Sequence, residues 1–484
     1  MTTQTYDAII IGSGAGGSAA AYALVNAGKR VLMLEKGGQL PRDGSTLDVQ
    51  RVFGQGEFKN KERWQDSRHS SFVPEEFYNV GGKTKWYGAA LLRFSPHEFE
   101  PDAAFQCLDW PIDYTDMAPY YQQAEDLLGV GHFANEPKLQ ALVNRIVKSD
   151  ANWQPQALPL GLKQDILRQP HEAKHFDGFA SPGGYKSDAE TNLLAPLLNA
   201  DRLTLYTQKE VVSLLAAEHT PMQITGVRCA DGSSYHASQI ILAAGAMSSP
   251  RLLQDYLVQS RLDQTWPSAP VVGANFKLHL NSALLAFSPI VNRDTLRKTA
   301  IFFNESFPHS TIQCLGWMDG EILATQLPAM VPRFAANALG RRAYGFFVTT
   351  EDGSSAENRV VSRPESMQRP PMLDYSLERI PASVAEHQSL LKAFKRSLLR
   401  SGLLGASKPM GLADTAHALG SMVTGIDPAA SVVDANGRVH GFDGLYVADG
   451  SILPRSSRVN PALTIYAWGL RLGVHLANRH MKTG

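Results

Sequence analysis

Three cysteines in 484 residues leave little room for two kinds of chemistry. Cys107, Cys229 and Cys314 are too scattered for a CxxC metal ligand set and too few for a disulfide framework, so they read as packing residues of a chain kept in a reducing compartment. Excess charge is also missing: 46 Lys and Arg balance 46 Asp and Glu. Without a net positive field or a polybasic block, nucleic acid is not an expected partner. No apolar run approaches the roughly 18 residues of a spanning helix. The chain enters its first strand without the basic, apolar and small-residue regions of a secretory leader. A cytoplasmic location with no transmembrane segment is the expectation. Residues 327–342 mix apolar side chains with arginines, a composition suited either to peripheral membrane contact or to an ordinary packed helix. Paired-cysteine patterns are absent, and no metal is expected.

What is present begins at once. Tyr6–Ile11 is a continuous apolar run, as a fully buried parallel strand requires, and an Ala-rich helical stretch and a second strand at residues 30–34 follow. Between strand and helix lies Gly12-Ser13-Gly14-Ala15-Gly16-Gly17. Gly12, Gly14 and Gly17 fit G-x-G-x-x-G: one glycine for a tight turn, one for backbone approach to a pyrophosphate, one for close packing of helix on strand. Glu35, ending the second strand, is placed to accept from ribose hydroxyls. The motif predicts a dinucleotide site without choosing between NAD and FAD.

Further strand character at residues 203–215, 226–229, 239–244 and 444–447 is dispersed. The chain therefore reads as an α/β protein whose Rossmann-like cofactor domain is assembled from discontinuous segments (1–95, 196–274 and 426–484). An inserted α+β substrate-binding domain takes 96–195 and 275–425. Residues 41–79 lack periodicity and read as an excursion over the surface.

Four later segments carry a resemblance. These are NVGGKTKWYGAALLRFSPHEFE from Asn79, ILAAGAMSSPRLL from Ile241, the Gly273, Asn275 and His279 pattern, and the C-terminal run containing His417, Asp449-Gly450 and Asn460-Pro461-Ala462. Together they resemble the glucose-methanol-choline (GMC) oxidoreductase family, in that family's order. The first of them and DWPIDYTDMAPYYQQAEDLLGV are similar to its sugar-oxidising branch. The resemblance implies FAD, with Gly82, Thr84 and Trp86 along the flavin and Val212 and Ala244 near the chain's passage past the cofactor. It puts Asp449 and Gly450 at the pyrophosphate, and Asn460, Pro461 and Ala462 at the pyrimidine edge. Trp86 stands where some relatives carry an attaching His, so noncovalent FAD is expected. The family's Thr-x-Arg-Met-Gly is here Ser421-Met422-Val423-Thr424-Gly425, which removes its Arg.

Alcohol oxidation through a flavin needs a base for the hydroxyl proton and a hydrogen-bonding group on the oxygen. The resemblance implies His417 for the first role and Asn460 for the second, with a sugar or glycoside secondary hydroxyl as the favoured substrate. Aryl, aliphatic or sterol alcohols are the alternatives, as is a hydroxynitrile-lyase-type enzyme that holds FAD without redox turnover. Oxygen or another acceptor, or an electron-transfer partner, would take the electrons. His279 reads as facing either the substrate or the interior, and His440 as a surface turn residue.

Overall fold

The computed structural model describes residues 5–199, 201–318, 320–326, 332–363 and 370–479. Its central sheet has seven strands in the order Leu203–Tyr206, Val31–Leu34, Tyr6–Ile11, Ser234–Leu242, Thr220–Cys229 and Val211–Ala217, with Leu445–Val447 also pairing Ser234–Leu242. The strands flanking Tyr6–Ile11 are parallel to it, with Ile9 opposite both Leu32 and Ile240. The predicted run at 203–215 is two strands that end on opposite edges of this sheet. A turn with Gln208 at φ +55° breaks it, which an apolar pattern cannot reveal.

The Ala-rich helix Ala15–Asn26 packs against the closing helix Ala462–Arg479. Small residues permit the approach: a Cβ on Gly469 would fall 2.3 Å from the Gly16 carbonyl oxygen, and one on Gly16 would fall 1.4 Å from that of Ala448. This ties the N- and C-terminal segments into one layer.

A second, fully antiparallel sheet has six strands: Leu404–Pro409, Leu280–Phe287, Ala343–Thr350, Ser310–Cys314, Ala300–Phe303 and Gln154–Ala157. One face buries Leu284, Phe302, Ile312, Phe346 and Val348 against residues of helices Pro137–Ser149 and Pro381–Arg400. The opposite face presents Gln313 and Phe347 toward Asn460 and His417.

Segment 96–195 divides between these layers. Helix Tyr114–Leu128 packs on the closing helix, with the Tyr121 hydroxyl 2.8 Å from Thr464 Oγ1, whereas Gln154–Ala157 joins the six-stranded sheet. Residues 41–79 are more than a surface excursion. Trp64 is buried in a small sheet with Met372–Asp374, and Leu47, Val49 and Val52 pack with Trp86 and Phe179. Their partners lie far along the chain, so local periodicity is blind to them. Of residues 327–342, Arg333–Gly340 forms a helix, and 327–331 lie outside the described residues. No described helix is long and apolar enough to cross a membrane.

Candidate active site

The three glycines differ in what surrounds them. Gly12 has φ +104°, and a Cβ there would sit 2.4 Å from the Ala243 carbonyl oxygen; one on Gly17 would sit 2.2 Å from that of Gly12. Gly14 has open space where its side chain would be. It caps the Ala15–Asn26 helix, whose first turn has neither a capping side chain nor an acidic residue. The free amides and dipole of that helix end suit an anion, and the vacant side of Gly14 lets it come close. On these grounds the cradle fits a dinucleotide.

Ser13, at an x position of the glycine motif, joins two signatures. Its hydroxyl donates to Glu35 Oε2 at 2.6 Å and accepts from the Gly81 amide at 3.1 Å. Glu35 also accepts from the Ser13 and Gly37 amides, at 3.0 and 2.9 Å. Gly81 and Gly82 both have positive φ, and a Cβ on Gly82 would lie 3.3 Å from the Cα of Gly14.

Other expected cofactor residues take specific places. Asp449 Oδ2 accepts from the Gly245 amide (2.8 Å) and Ser249 Oγ (2.5 Å), and Oδ1 accepts from the Ser451 amide and hydroxyl (2.9 and 2.5 Å), fastening the Ala244 turn to the C-terminal segment. Gly450 donates nothing there, but its carbonyl accepts from Gly420 at 3.0 Å, aligning the His417 loop. Pro461 and Ala462 open the closing helix. The Thr84 hydroxyl is engaged by the Gly81 carbonyl (2.6 Å) and the Ala189 amide (3.0 Å). Trp86 is stacked 4.9 Å from Phe77, its indole N–H donating to Asn79 Oδ1 at 3.0 Å, so packing holds it. Val212 is 41% exposed at a break in its β-ladder, whereas its neighbour Val211 is buried.

His417 and Asn460, 43 positions apart, are brought together: Asn460 Nδ2 is 3.5 Å from His417 Nε2. Two further residues fix their orientation. Gln313 donates its amide to Asn460 Oδ1, which turns the Asn460 N–H₂ toward His417. His279 Nδ1 lies 2.9 Å from His417 Nδ1, while His279 Nε2 lies 2.9 and 2.8 Å from the carbonyl oxygens of Ser456 and Ser457. Carbonyls only accept, so His279 carries its proton on Nε2, and its Nδ1 is an acceptor in the neutral ring. His417 must then donate from Nδ1. Its Nε2 is left with a lone pair beside the Asn460 amide.

Backbone strain marks the same relay: His279 has φ +62° and Ser457 φ +69°, left-handed values unusual for these residues. Ser457 is held by its amide 3.2 Å from Glu351 Oε1 and its hydroxyl 2.5 Å from Glu98 Oε1. Burial holds His417 well below the usual imidazole range, helped by the neighbouring His279 ring and by the charges of Lys83 and Lys298. His417 is therefore neutral and able to accept a proton at ordinary pH. His440 lies elsewhere, 2.9 Å from Ser431 Oγ in the C-terminal turn.

Among the described residues, Cys107, His309 and Glu351 approach one another closely enough to hold an ion. Glu351 is already engaged by Arg455 at 2.9 and 2.7 Å and by His309 at 2.9 Å, and burial pushes the Cys107 thiol up, away from thiolate. The cluster is an ion-pair network beneath Ser457.

Residues 7–296 match the FAD dependent oxidoreductase family, and 355–469 match GMC oxidoreductase. The 6'''-hydroxyparomomycin C oxidase of Streptomyces lividus is 28% identical, covering 98% of this chain and 92% of its own. The paromamine 6'-oxidase of Streptomyces fradiae is 28% identical, covering 97% and 90%. The fructose dehydrogenase large subunit of Gluconobacter japonicus is 21% identical, covering 98% of each. Among solved structures, pyridoxine 4-oxidase from Mesorbium loti shares the fold, with a TM-score of 0.70, 18% identity and 99% of each chain covered. The chain belongs to the FAD-dependent oxidoreductases and, within them, to the GMC oxidoreductases that act on CH–OH groups.

Proposed function

We propose that this protein oxidises a secondary hydroxyl of a sugar or glycoside, with His417 as the base and Asn460 as the hydrogen-bonding partner of the reacting oxygen. The observation that carries this reading is the directed chain from the Ser456 and Ser457 carbonyls through His279 to His417, which leaves an unprotonated Nε2 beside the Asn460 amide. Asn460 Nδ2 donates to the substrate oxygen, and His417 Nε2 takes the hydroxyl proton as the carbinol carbon gives up its hydride. Bound FAD supplies the hydride acceptor, a chemistry no side chain offers. Gly12, Gly14, Gly17, Glu35, Gly82, Ala244, Val212, Asp449, Gly450, Pro461 and Ala462 would hold it, with Thr84 and Trp86 backing the segment beside it. Holding is noncovalent, because Trp86 has no nucleophilic atom to attach the ring; acid precipitation should leave FAD in the supernatant.

The relatives named for paromamine, 6'''-hydroxyparomomycin C and fructose support a carbohydrate substrate. Three buried free cysteines support a cytoplasmic location, and oxygen or a separate electron carrier completes the cycle. The test is anaerobic mixing with methyl glycosides, aryl alcohols, aliphatic alcohols and sterols. Bleaching of the flavin fastest by a glycoside is the expected result. Bleaching by benzylic or sterol alcohols alone would overturn the substrate class, and no bleaching with cyanohydrin cleavage would make the protein a lyase.

A further inference from the structure

The segment proposed to lie along the flavin gives up a side chain at one further place. A Cβ on Gly88 would fall 2.0 Å from Lys298 Nζ and 2.1 Å from Asp177 Oδ1, so the glycine makes room for an ion pair. Lys298 and Asp177 are 2.8 Å apart, with side chains only 7% and 16% exposed. The other carboxylate oxygen of Asp177 accepts from the Gly316 amide at 2.9 Å. Lys186 Nζ donates to the Tyr87 and Phe176 carbonyls, both at 2.7 Å, which locks the residues preceding Gly88 and Asp177 to each other. A buried ion pair is often no more stable than an apolar substitute, because desolvation offsets the attraction. Stability alone does not account for the pair, and neither the histidine relay nor the glycine cradle uses it.

Three tethers place Lys298 near the reacting centre. Gly82 lies against Gly14 of the dinucleotide cradle, and from there the segment runs to Gly88. On the way, Lys83 Nζ donates to the Thr415 carbonyl at 2.7 Å, two residues before His417. Lys298 itself stands three residues before Ile301, which is opposite Gln313 in the sheet, and Gln313 holds Asn460. Its charge is one of those that reach His417. A cofactor spanning from Gly14 to the His417 and Asn460 pair therefore follows this segment toward Lys298.

Hydride transfer moves two electrons and one proton from the carbinol carbon to the flavin, while the hydroxyl proton goes to His417 and the carbonyl bond forms. The flavin gains one negative charge at a buried centre. A fixed ammonium favours that charge without having to reorganise, and Asp177 keeps the ammonium in place. We infer that Lys298, held by Asp177, stabilises the reduced flavin and so raises the reduction potential of bound FAD. The inference rests on the proposed placing of the flavin along Gly82, Thr84 and Trp86, and adds which residues set the cofactor's driving force. Asp177 offsets part of the field, so the two residues act with opposite signs.

The test measures the midpoint potential of the FAD-loaded protein against a reference dye during slow anaerobic reduction, with no substrate present. Lys298→Met should move the equilibrium about tenfold toward oxidised flavin, which for a two-electron couple is about 30 mV downward. Asp177→Asn should move it upward by a similar amount, and the double variant should return it to near the wild-type value. Opposite signs separate charge from packing, because a disturbed fold does not follow the sign of the charge removed. If Lys298→Met does not hold FAD, the upward shift in Asp177→Asn and the return in the double variant carry the test. No shift, or shifts of the same sign in both single variants, would overturn the inference. A flavin bleached only by aryl or sterol alcohols would remove the glycoside reading and leave these potentials as they are. Retention of FAD by Gly14→Val would instead remove the cofactor placing, and the inference with it.

Discussion

Replacing His279 separates a base from the residue that sets its proton. In His279→Leu, the His417 Nδ1–H loses its acceptor at 2.9 Å. An unsatisfied buried donor costs about 1–3 kcal/mol. His417 can relieve that cost by moving the proton to Nε2 only if the Asn460 amide turns its Oδ1 around to accept it, so the shift sets an upper limit on the effect, and this tautomer cannot act as a base. At about 1.4 kcal/mol per tenfold, the competent form falls to between about one in 5 and one in 150, so flavin reduction should slow by up to that range. His279→Asn discriminates tautomer control from mere packing. Its Oδ1 sits on Cγ, as Nδ1 does in His, and Asn tolerates the left-handed backbone at φ +62° that burdens Leu. Anaerobic stopped flow should put Asn within about 10-fold of wild type, and ¹⁵N NMR should show the Nδ1–H tautomer of His417 retained in Asn and lost in Leu. Equal rates in the two variants, with an unchanged His417 tautomer, would refute the reasoning.

Gly14→Val should leave the apo fold at wild-type thermal stability yet abolish FAD retention, because the new side chain fills only the open cradle; Gly17→Ala should lower apo stability by about 1–3 kcal/mol through its clash with the Gly12 carbonyl, read by thermal melts. His387, between Ser282 Oγ at 2.8 Å and Thr350 Oγ1 at 2.9 Å, is pushed down to about 4 by burial. The unfolded chain then binds the extra proton first, so stability is lost as pH falls from about 6.5 toward 4, by about 3 kcal/mol in all. His387→Gln should flatten that part of the melting profile, and an unchanged slope would count against the assignment. Because His417 is held below the ordinary imidazole range, the reductive rate should stay level through neutral pH and fall only on the acid side; Lys298→Met, removing one of the charges that lower it, should move that acid limb upward.

The glycine turn was legible because each of its demands is local: a positive φ, an open side, a close helix. The His417 and Asn460 pair came from a motif pattern, since the 42 intervening residues carry no signal of contact. What orients them was hidden. Gln313 reaches Asn460 across 147 positions and His279 reaches His417 across 138, through a sheet register and two left-handed residues that composition does not encode. Ser13 sits at a variable position of its motif, and its role emerges only when Gly81 is folded against it. The buried Trp64 and the split at Gln208 escaped for the same reason: long-range pairing overrides local pattern.

The central claim is that His417 Nε2 takes the substrate proton. Its most direct test is the anaerobic reduction of FAD-loaded His417→Ala by the substrate that bleaches the wild type fastest. The account predicts normal FAD content and a reduction rate lower by about 100- to 10,000-fold. Near wild-type reduction in that variant, with the large loss appearing in His440→Ala instead, would contradict it.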